Sequence, residues 1–489
     1  MTIPRLGPGA LYLRSLDGMF RSNADLIKVA EVEPQILWTK PTSIGAKAGG
    51  SPQERRALAA LPQRVLTHGV GYPVGGMICD QQEHVEEFRI WNEELGASWT
   101  SEHLSILQVA GARGPVPCGF LMPPLQTEAG VRLAARNIAK RAAALHLPFA
   151  FETGVNYFVR REEEMPDGEF FAAVAQEADC GILLDLTNLW INEKNGRAKI
   201  SEVIAQLPLE RVWEVHLAGV EMERGYWVDA HSRGVDPELA AIVGDVMGSL
   251  PNLGAIIFEL APDRVAGFGP TEILKQMETL HRLWERVPTP RGEVAGAKTL
   301  SNRKPSPMTP EVWEQVIAER MLDGSSKITI RETDEERFAL YRHLAGSFRS
   351  GAIAELLGNS VRLLLIGLGK DGLCALMDRY VGQTTPVTFP SDEALQFARW
   401  MQANPVPVAG LAEMLKFEGS LIEAAVNNTT VRTAFTKDIE MMLGEVAEGR
   451  LPGASSDRPE MLLEIGVNPV PFVRVAAGLM EPGRDLSDH

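Results

Sequence analysis

"GILLDL" (181–186) is a run of apolar residues of strand length, with Asp185 one place from its end and Asn188 close behind. A continuous apolar run this short suits a strand covered on both faces, as in a parallel sheet. Seven more runs of this kind lie around it: "ALYLR" (10–14), "LIKVAEVE" (26–33), "RVLTHG" (64–69), "SWTSEHL" (98–104), "PFAFE" (148–152), "VWEVHL" (212–217) and "AIIFEL" (255–260). Amphipathic stretches at 80–95, 128–145, 170–178 and 237–247 separate most of them. Eight strands with helical crossovers predict an α/β fold, a (β/α)8 TIM barrel. A doubly wound open sheet is the alternative, but no switch point can be located for it.

The chain has 489 residues, more than one ordinary core needs, so a second domain is expected. Residues 288–310, "PTPRGEVAGAKTLSNRKPSPMTP", carry Pro, Gly, Ser and Lys with hardly an apolar side chain and read as a linker. The expected division is a barrel over 1–287, the linker, and a smaller, mainly helical (α+β) domain over 311–489. In "AGLAEMLKFEGSLIEAAV" (409–426) the apolar residues fall mostly on one helical face, with Glu418 the polar exception.

A formal charge of −16 argues against a nucleic-acid partner, because a phosphate backbone would be repelled. Four scattered cysteines without a CxxC pair offer no thiolate metal site and fit a reducing cytoplasm. The opening residues lack the pattern of a signal peptide, and the longest purely apolar run, "LLLIGLG" (363–369), is too short to span a bilayer. A cytoplasmic protein without a membrane partner is expected.

The ionisable residues cluster at predicted strand ends: His68, His103, Glu152, Asp185 with Asn188 behind it, His216 and Glu259. The loop after the seventh strand, "VDAHSRG", adds Asp229 and His231. In a barrel these ends meet on one face. A single polar strand end is unremarkable, but four of nine histidines interleaved with four carboxylates would leave a costly concentration of buried charge. Bound cations remove that cost. Imidazole and carboxylate without thiolate suit iron, manganese or zinc, and the donor count exceeds one six-coordinate ion. Asp229 and His231, at i and i+2, point to one side if that segment is extended.

These residues stand in motifs, "THGVGYPVGG", "SEHLSI", "FETGVNYF", "CGILLDLTNLWINEKN", "VHLAGVE", "VDAHSRGVD" and "IFEL", whose order resembles the multinuclear non-heme iron-dependent oxidative enzymes. That family includes the large subunit of the methanobactin biosynthesis enzyme. The resemblance covers roughly residues 5–285. It implies a barrel holding two or three irons, Fe(II)/Fe(III), with dioxygen as co-substrate, acting on a ribosomally made precursor peptide, in several members at cysteine. It implies metal ligands at His68, His103, Glu152, Asp185, Asn188, His216, Asp229, His231 and Glu259. Glu102, beside His103, is implied to support the ligands from behind, and Glu102, Asp185 and His231 are the candidates for catalytic roles. Thr153 stands where the family has asparagine, and "EPQILW" (33–38) replaces the usual "ENYF". "FPSDEALQFARWMQANPVPVAGLAEMLKFEGSLIEAAV" and "DIEMMLGEVAEGRLPG" resemble the partner proteins of these oxidases, which help to bind the peptide. Here that partner is expected in cis, with room for a further partner protein.

Two other classes share the residue pattern. A zinc- or manganese-dependent barrel hydrolase or isomerase uses similar His/Asp/Glu sets, and a non-catalytic peptide-binding scaffold keeps the fold without the chemistry. Among weaker signals, "IGLGKDG" (366–372) lacks phosphate-loop spacing. "REEEM" (161–165) reads as a solvated loop face. His84, His146, His281 and His343 are expected in ordinary roles.

Overall fold

The computed structural model describes residues 3–40, 48–79, 82–111, 114–289, 306, 308–323, 330–466 and 472–475. Contacts divide the chain into two compact units, Met1–Trp38 with Gly49–Tyr341, and Thr39–Ala48 with Arg342–His489.

The first unit is a closed parallel barrel. Its strands are β1 (Gly7–Leu11), β2 (Val29–Val32), β3 (Arg64–Gly69) and β4 (Thr100–His103), then, after a hairpin of β5 (Ile106–Gly111) and β6 (Gly114–Met122), β7 (Phe149–Glu152), β8 (Gly181–Asp185) and β9 (Val212–Ala218). A second hairpin, β10 (Val220–Glu223) and β11 (Tyr226–Asp229), precedes the last barrel strand, β12 (Ala255–Glu259). The closed order is β1-β12-β9-β8-β7-β4-β3-β2. Seven of the eight expected runs became barrel strands in chain order; the first, expected at 10–14, overlaps β1 only at Ala10 and Leu11, and its Arg14 opens a 3-10 turn. The two antiparallel hairpins were not anticipated; both are insertions in strand-to-helix connections at the end where the polar residues lie.

Crossover helices form where the sequence supplies both a face and a stop. Thr127 caps Glu128–Leu145 by accepting from the Gly130 N–H, and the helix ends on left-handed His146. Asp236 and Pro237 open Pro237–Met247 in the same manner. Inside the barrel, Val29, Leu66, Trp99, Ala150, Leu183, Ala255 and Ile257 pack into one apolar layer. Strand side chains repeat every two residues, so the next positions on that side are Glu31, His68, Ser101, Glu152, Asp185 and Glu259. The apolar layer is the floor on which a polar layer stands.

Residues 290–305 and 307 of the expected linker lie outside the described residues. The division between units falls at Tyr341/Arg342, thirty residues beyond the expected start of the second domain. Packing explains the difference. Trp313, in helix Pro310–Ala318, donates from Nε1 to the Pro123 carbonyl at 3.0 Å. Phe158, after β7, lies 5.2 Å from Trp313, 4.8 Å from Phe338 and 5.2 Å from Tyr341, ring centre to ring centre. The same segment corrects the reading of 161–165 as a solvated face: Arg161, Glu164 and Met165 are buried. Arg161 pairs with Asp334 at 3.1 Å and lies over the Trp313 ring.

The second unit is mainly helical: Gly358–Gln383, Pro390–Ala403, Leu411–Asn427 and Ile439–Ala447, with an antiparallel sheet of β13 (Val431–Lys437), β14 (Asp457–Gly466) and β15 (Phe472–Val475). Leu363, Tyr380, Phe397, Met414, Phe435, Met442 and Ile465 lie in its core. Glu418 breaks the apolar face for a reason: its carboxylate accepts from the Asn359 and Ser360 N–H groups at 2.9 and 3.0 Å, at the start of the helix Gly358–Gln383. "IGLGKDG" lies within that helix, not after a strand. Among the described residues no single helix is long and apolar enough to cross a membrane.

Candidate metal centre

Strand register brings the candidates side by side. Neighbouring strands align His103 with Glu152 and Asp185 with His216. Three sets of donors result, each with its ligand atoms within 4.8 Å of one another: His68, His103 and Glu152; Glu152, Asp185 and His216; and Glu31, His216 and Glu259. Glu152 belongs to two of them.

In the first set, the Nε2 atoms of His68 and His103 each lie 3.1 Å from Glu152 Oε2. The far side of each ring is anchored. His103 Nδ1 lies 3.0 Å from the Gly69 carbonyl, which can only accept, so Nδ1 carries the proton and Nε2 presents its lone pair. His68 Nδ1 meets Ser101 Oγ at 2.8 Å. Glu102 stands on the anchored side of His103, accepting from its backbone N–H at 2.9 Å and from the Tyr72 N–H at 3.3 Å. Gly69 makes room for it: a Cβ there would come 2.3 Å from Glu102 Oε2. Glu102 therefore braces the ligand strand and does not join the donor set.

In the second set, Asp185 caps the helix Leu186–Lys194, and its Oδ1 accepts from the Asn188 N–H at 2.8 Å. Asn188 donates in turn from Nδ2 to Glu152 Oε1 and the Thr153 carbonyl, at 3.2 and 3.3 Å. Thr153, in the asparagine's place, accepts from the Asp185 N–H through its hydroxyl. His216 Nδ1 lies 3.2 Å from Glu259 Oε2. Asp229 ends β11, and His231 Nε2 lies 3.1 Å from its Oδ2 and 3.6 Å from Glu259 Oε2. The segment is not extended through His231, whose φ is +45°; a left-handed histidine stores backbone strain, on the order of 1–3 kcal/mol. All nine expected ligands thus stand in one connected group.

Sequence reasoning missed Glu31, Glu33 and Glu214. Glu31 and Glu214 are fully buried. Both Glu31 oxygens lie near His216 Nε2, at 3.1 and 2.9 Å. The signal was present: an acid inside "KVAEV" or "VWEVH", where a parallel strand is covered on both faces, needs a partner.

The electrostatics record the crowding. Burial pushes Asp185 well above the ordinary carboxylate range, and the Glu152 charge adds to it. Burial also raises Glu31, to about 7, and raises Glu33 among the charges of His68, Glu259, His231 and His103. For His103, burial acts downward, but Glu152 and Glu102 prevail and lift it to about 10. Burial acts upward on Glu152, yet the His103 and His68 rings hold it at about 2. His216 and His231 are raised against burial by Glu259 and by Asp229 respectively. Without another cation, protons carry the compensation.

Several buried atoms of the group nonetheless have no hydrogen-bond partner, among them Glu152 Oε2, Asp185 Oδ2, Asn188 Oδ1, His216 Nδ1 and Asp229 Oδ1, and beside them Glu31 Oε2 and Glu214 Oε1. Orphaned acceptors of this kind are rare and call for an explanation. These belong to the connected group at the strand tips, and all are lone-pair donors of the kind that hard and borderline metal ions take. The residues present fit a metal centre.

A closed barrel with oxygen and nitrogen donors grouped at its strand tips, able to hold metal ions, defines the class. The model of a family described as the RiPP precursor modification enzymes MbnB/TglH/ChrH, which act on ribosomally made peptides, matches residues 27–262. This span runs from just before β2 to just past β12, so the likeness to that family extends through most of the barrel. A UPF0276 protein of Anaeromyxobacter sp. (strain Fw109-5) is 28% identical over 231 residues, 46% of this chain and 79% of that protein. Another, of Shewanella loihica, is 29% identical over 285 residues, covering 58% of this chain and 95% of its own. Among solved structures, D-psicose 3-epimerase of Clostridium cellulolyticum H10 aligns with a TM-score of 0.40 at 10% identity, covering 57% of this chain and 99% of that one.

Proposed function

We propose that the chain is a dioxygen-dependent oxidase with two or three irons, Fe(II)/Fe(III), that modifies a precursor peptide at cysteine. The observation that carries the reading is the set of orphaned buried donors, Glu152 Oε2, Asp185 Oδ2, Asn188 Oδ1, His216 Nδ1 and Asp229 Oδ1, in a barrel resembling a family that rewrites peptides. His68, His103 and Glu152 would hold one ion. Glu152, Asp185 and His216, with Glu259, would hold a second, Glu152 serving both. Asn188, Asp229 and His231 are the donors left for a third. The ions, when bound, supply the redox chemistry with dioxygen.

The chain's own residues do the rest. The Gly69 carbonyl, Ser101 and Glu102 hold the two histidine rings in position. Of the catalytic candidates, His231 lies at the edge of the group with its side chain 28% exposed and is the one placed to carry a proton to or from a substrate, whereas Asp185 is fully buried among the ligands. The second unit, whose helices resemble the family's partner proteins, is assigned to peptide binding, alone or with a further partner protein. Four free cysteines, three of them buried, suit the reducing cytoplasm to which we assign the chain.

The test is oxygen uptake by the iron-loaded chain on addition of a cysteine-containing candidate precursor peptide, with the peptide's mass followed before and after cysteine alkylation. Uptake with a mass change that alkylation of cysteine prevents supports the reading. A mass change without oxygen uptake, or turnover with zinc or manganese alone, contradicts it and leaves a hydrolase or isomerase; intact peptide bound without turnover leaves a scaffold.

A further inference from the structure

The histidines of the centre are not presented alike. His103 is anchored through Nδ1 and offers Nε2. His216 is turned about: its Nε2 faces Glu31, and its Nδ1, buried and without a hydrogen-bond partner, faces Glu259 Oε2 at 3.2 Å. Glu31 Oε1 is hydrogen-bonded to that Nε2 at 3.1 Å, and its Oε2 lies 2.9 Å away without a hydrogen bond of its own. Glu214 is the other carboxylate nearby; its Oε1 is 3.8 Å from His216 Nε2, and its Oε2 is occupied by the Trp99 indole N–H at 2.8 Å. Both ring nitrogens face a carboxylate, but only Nε2 makes a hydrogen bond, to Glu31, so Nε2 is assigned the N–H and Nδ1 the lone pair.

We infer that Glu31 is a positioning residue. It holds the Nε2 proton of His216, so that this histidine binds metal through Nδ1 whereas His103 binds through Nε2. Glu31 is assigned the support and not a ligand's place because its Oε1 is taken up by Nε2, although one of its oxygens and the donor atoms of His216 and Glu259 lie within 4.8 Å of one another. Glu214, tied to Trp99 in the barrel floor, holds Glu31 to the ring by leaving it as the sole acceptor within 3.5 Å of Nε2 among the described residues. The inference rests on the metal-centre reading but not on the identity of the metal.

The experiment uses the full-length chain loaded with zinc, as wild type, Glu31→Gln and Glu31→Leu. It reads zinc per chain and zinc affinity, together with long-range proton–nitrogen spectra of chain labelled with 15N-histidine, the His216 signals being assigned by their loss in His216→Gln. Glutamine still accepts from Nε2–H, so Glu31→Gln is expected to keep wild-type stoichiometry and the Nδ1-bound signature. Glu31→Leu is expected to lose that signature and ~10–100-fold in affinity for one ion, the usual cost of removing such a support. Equal depletion in both variants would make Glu31 a ligand and overturn the inference. So would wild-type affinity and signature in Glu31→Leu. A wild-type chain that binds no zinc or iron would remove the metal-centre reading as well, which separates the two failures.

Discussion

Asp185 and Asn188 share one hydrogen bond, Asn188 N–H to Asp185 Oδ1 at 2.8 Å, and each keeps one buried oxygen with no donor. Helix capping accounts for one oxygen and leaves the other for a cation. Asparagine caps as well as aspartate does. Asp185→Asn should therefore keep the helix while removing a carboxylate that burial disfavours. The metal-free variant should melt at or a few degrees above the metal-free wild type, roughly 2–4 °C for about 1 kcal/mol in a unit of this size. Metal affinity should fall about tenfold or more. Calorimetry with a chelator, beside elemental analysis, checks both.

Metal-free chain should also show a pH signature. Below about 6.5 the contribution of His103, raised to about 10 by Glu152 and Glu102, is fully present; it is lost as pH rises through about 10. Glu152, held at about 2, contributes fully above its ordinary value of 4.5 and loses its contribution as pH falls through about 2. Glu31, raised to about 7, and Asp185, raised well above the ordinary carboxylate range, count against the fold increasingly as pH rises above their ordinary values, so the denaturation midpoint in chelator should be highest near about pH 4.5 and decline on either side. Metal affinity should rise over pH 6–8, roughly tenfold per pH unit for each proton an ion displaces.

Most of this was legible, and what was not has physical reasons. Eight apolar runs were enough for the barrel because parallel strands are buried on both faces. The strand-end histidines and acids stood out because they interrupt those runs. Glu31 and Glu214 were passed over because each lies within a run, not at its tip; period-two counting from Val29 to Glu31 would have found the first. Asp229 was expected in a loop and ends a hairpin strand instead, since β10–β11 is a local pairing that barrel bookkeeping does not contain. The contact boundary falls later than the compositional linker because composition marks where a linker begins, whereas the packing of Trp313 and Tyr341 decides which core claims the residues after it.

Glu102 provides a third prediction. Its two oxygens hold backbone N–H groups of His103 and Tyr72. Glu102→Ala leaves both buried donors without a partner, at a cost of about 1–3 kcal/mol. The chain should be less stable, with ~10–100-fold weaker binding of the ion held by His68, His103 and Glu152. Glu102→Gln should recover most of both. A denaturant titration and a zinc titration of the two variants distinguish this from a direct catalytic role, in which the metal would be retained and only turnover lost.

The segment 310–341 supplies a fourth. Arg161, buried between Asp334 and Trp313, ties it to the loop after β7. Asp334 keeps a second partner in Arg331, 2.9 Å away, so Arg161→Ala should be survivable, costing about 1–3 kcal/mol. Limited proteolysis of the variant should cut within 306–341 faster than in wild type, with the barrel's metal content unchanged.

The most direct test is elemental analysis of chain purified without oxygen, wild type beside His103→Ala and Asp185→Ala. The account predicts two or more irons per wild-type chain and clear depletion in both variants, each folded by circular dichroism. Well-folded wild-type protein without metal, or zinc or manganese with no iron recoverable on reconstitution, would contradict it.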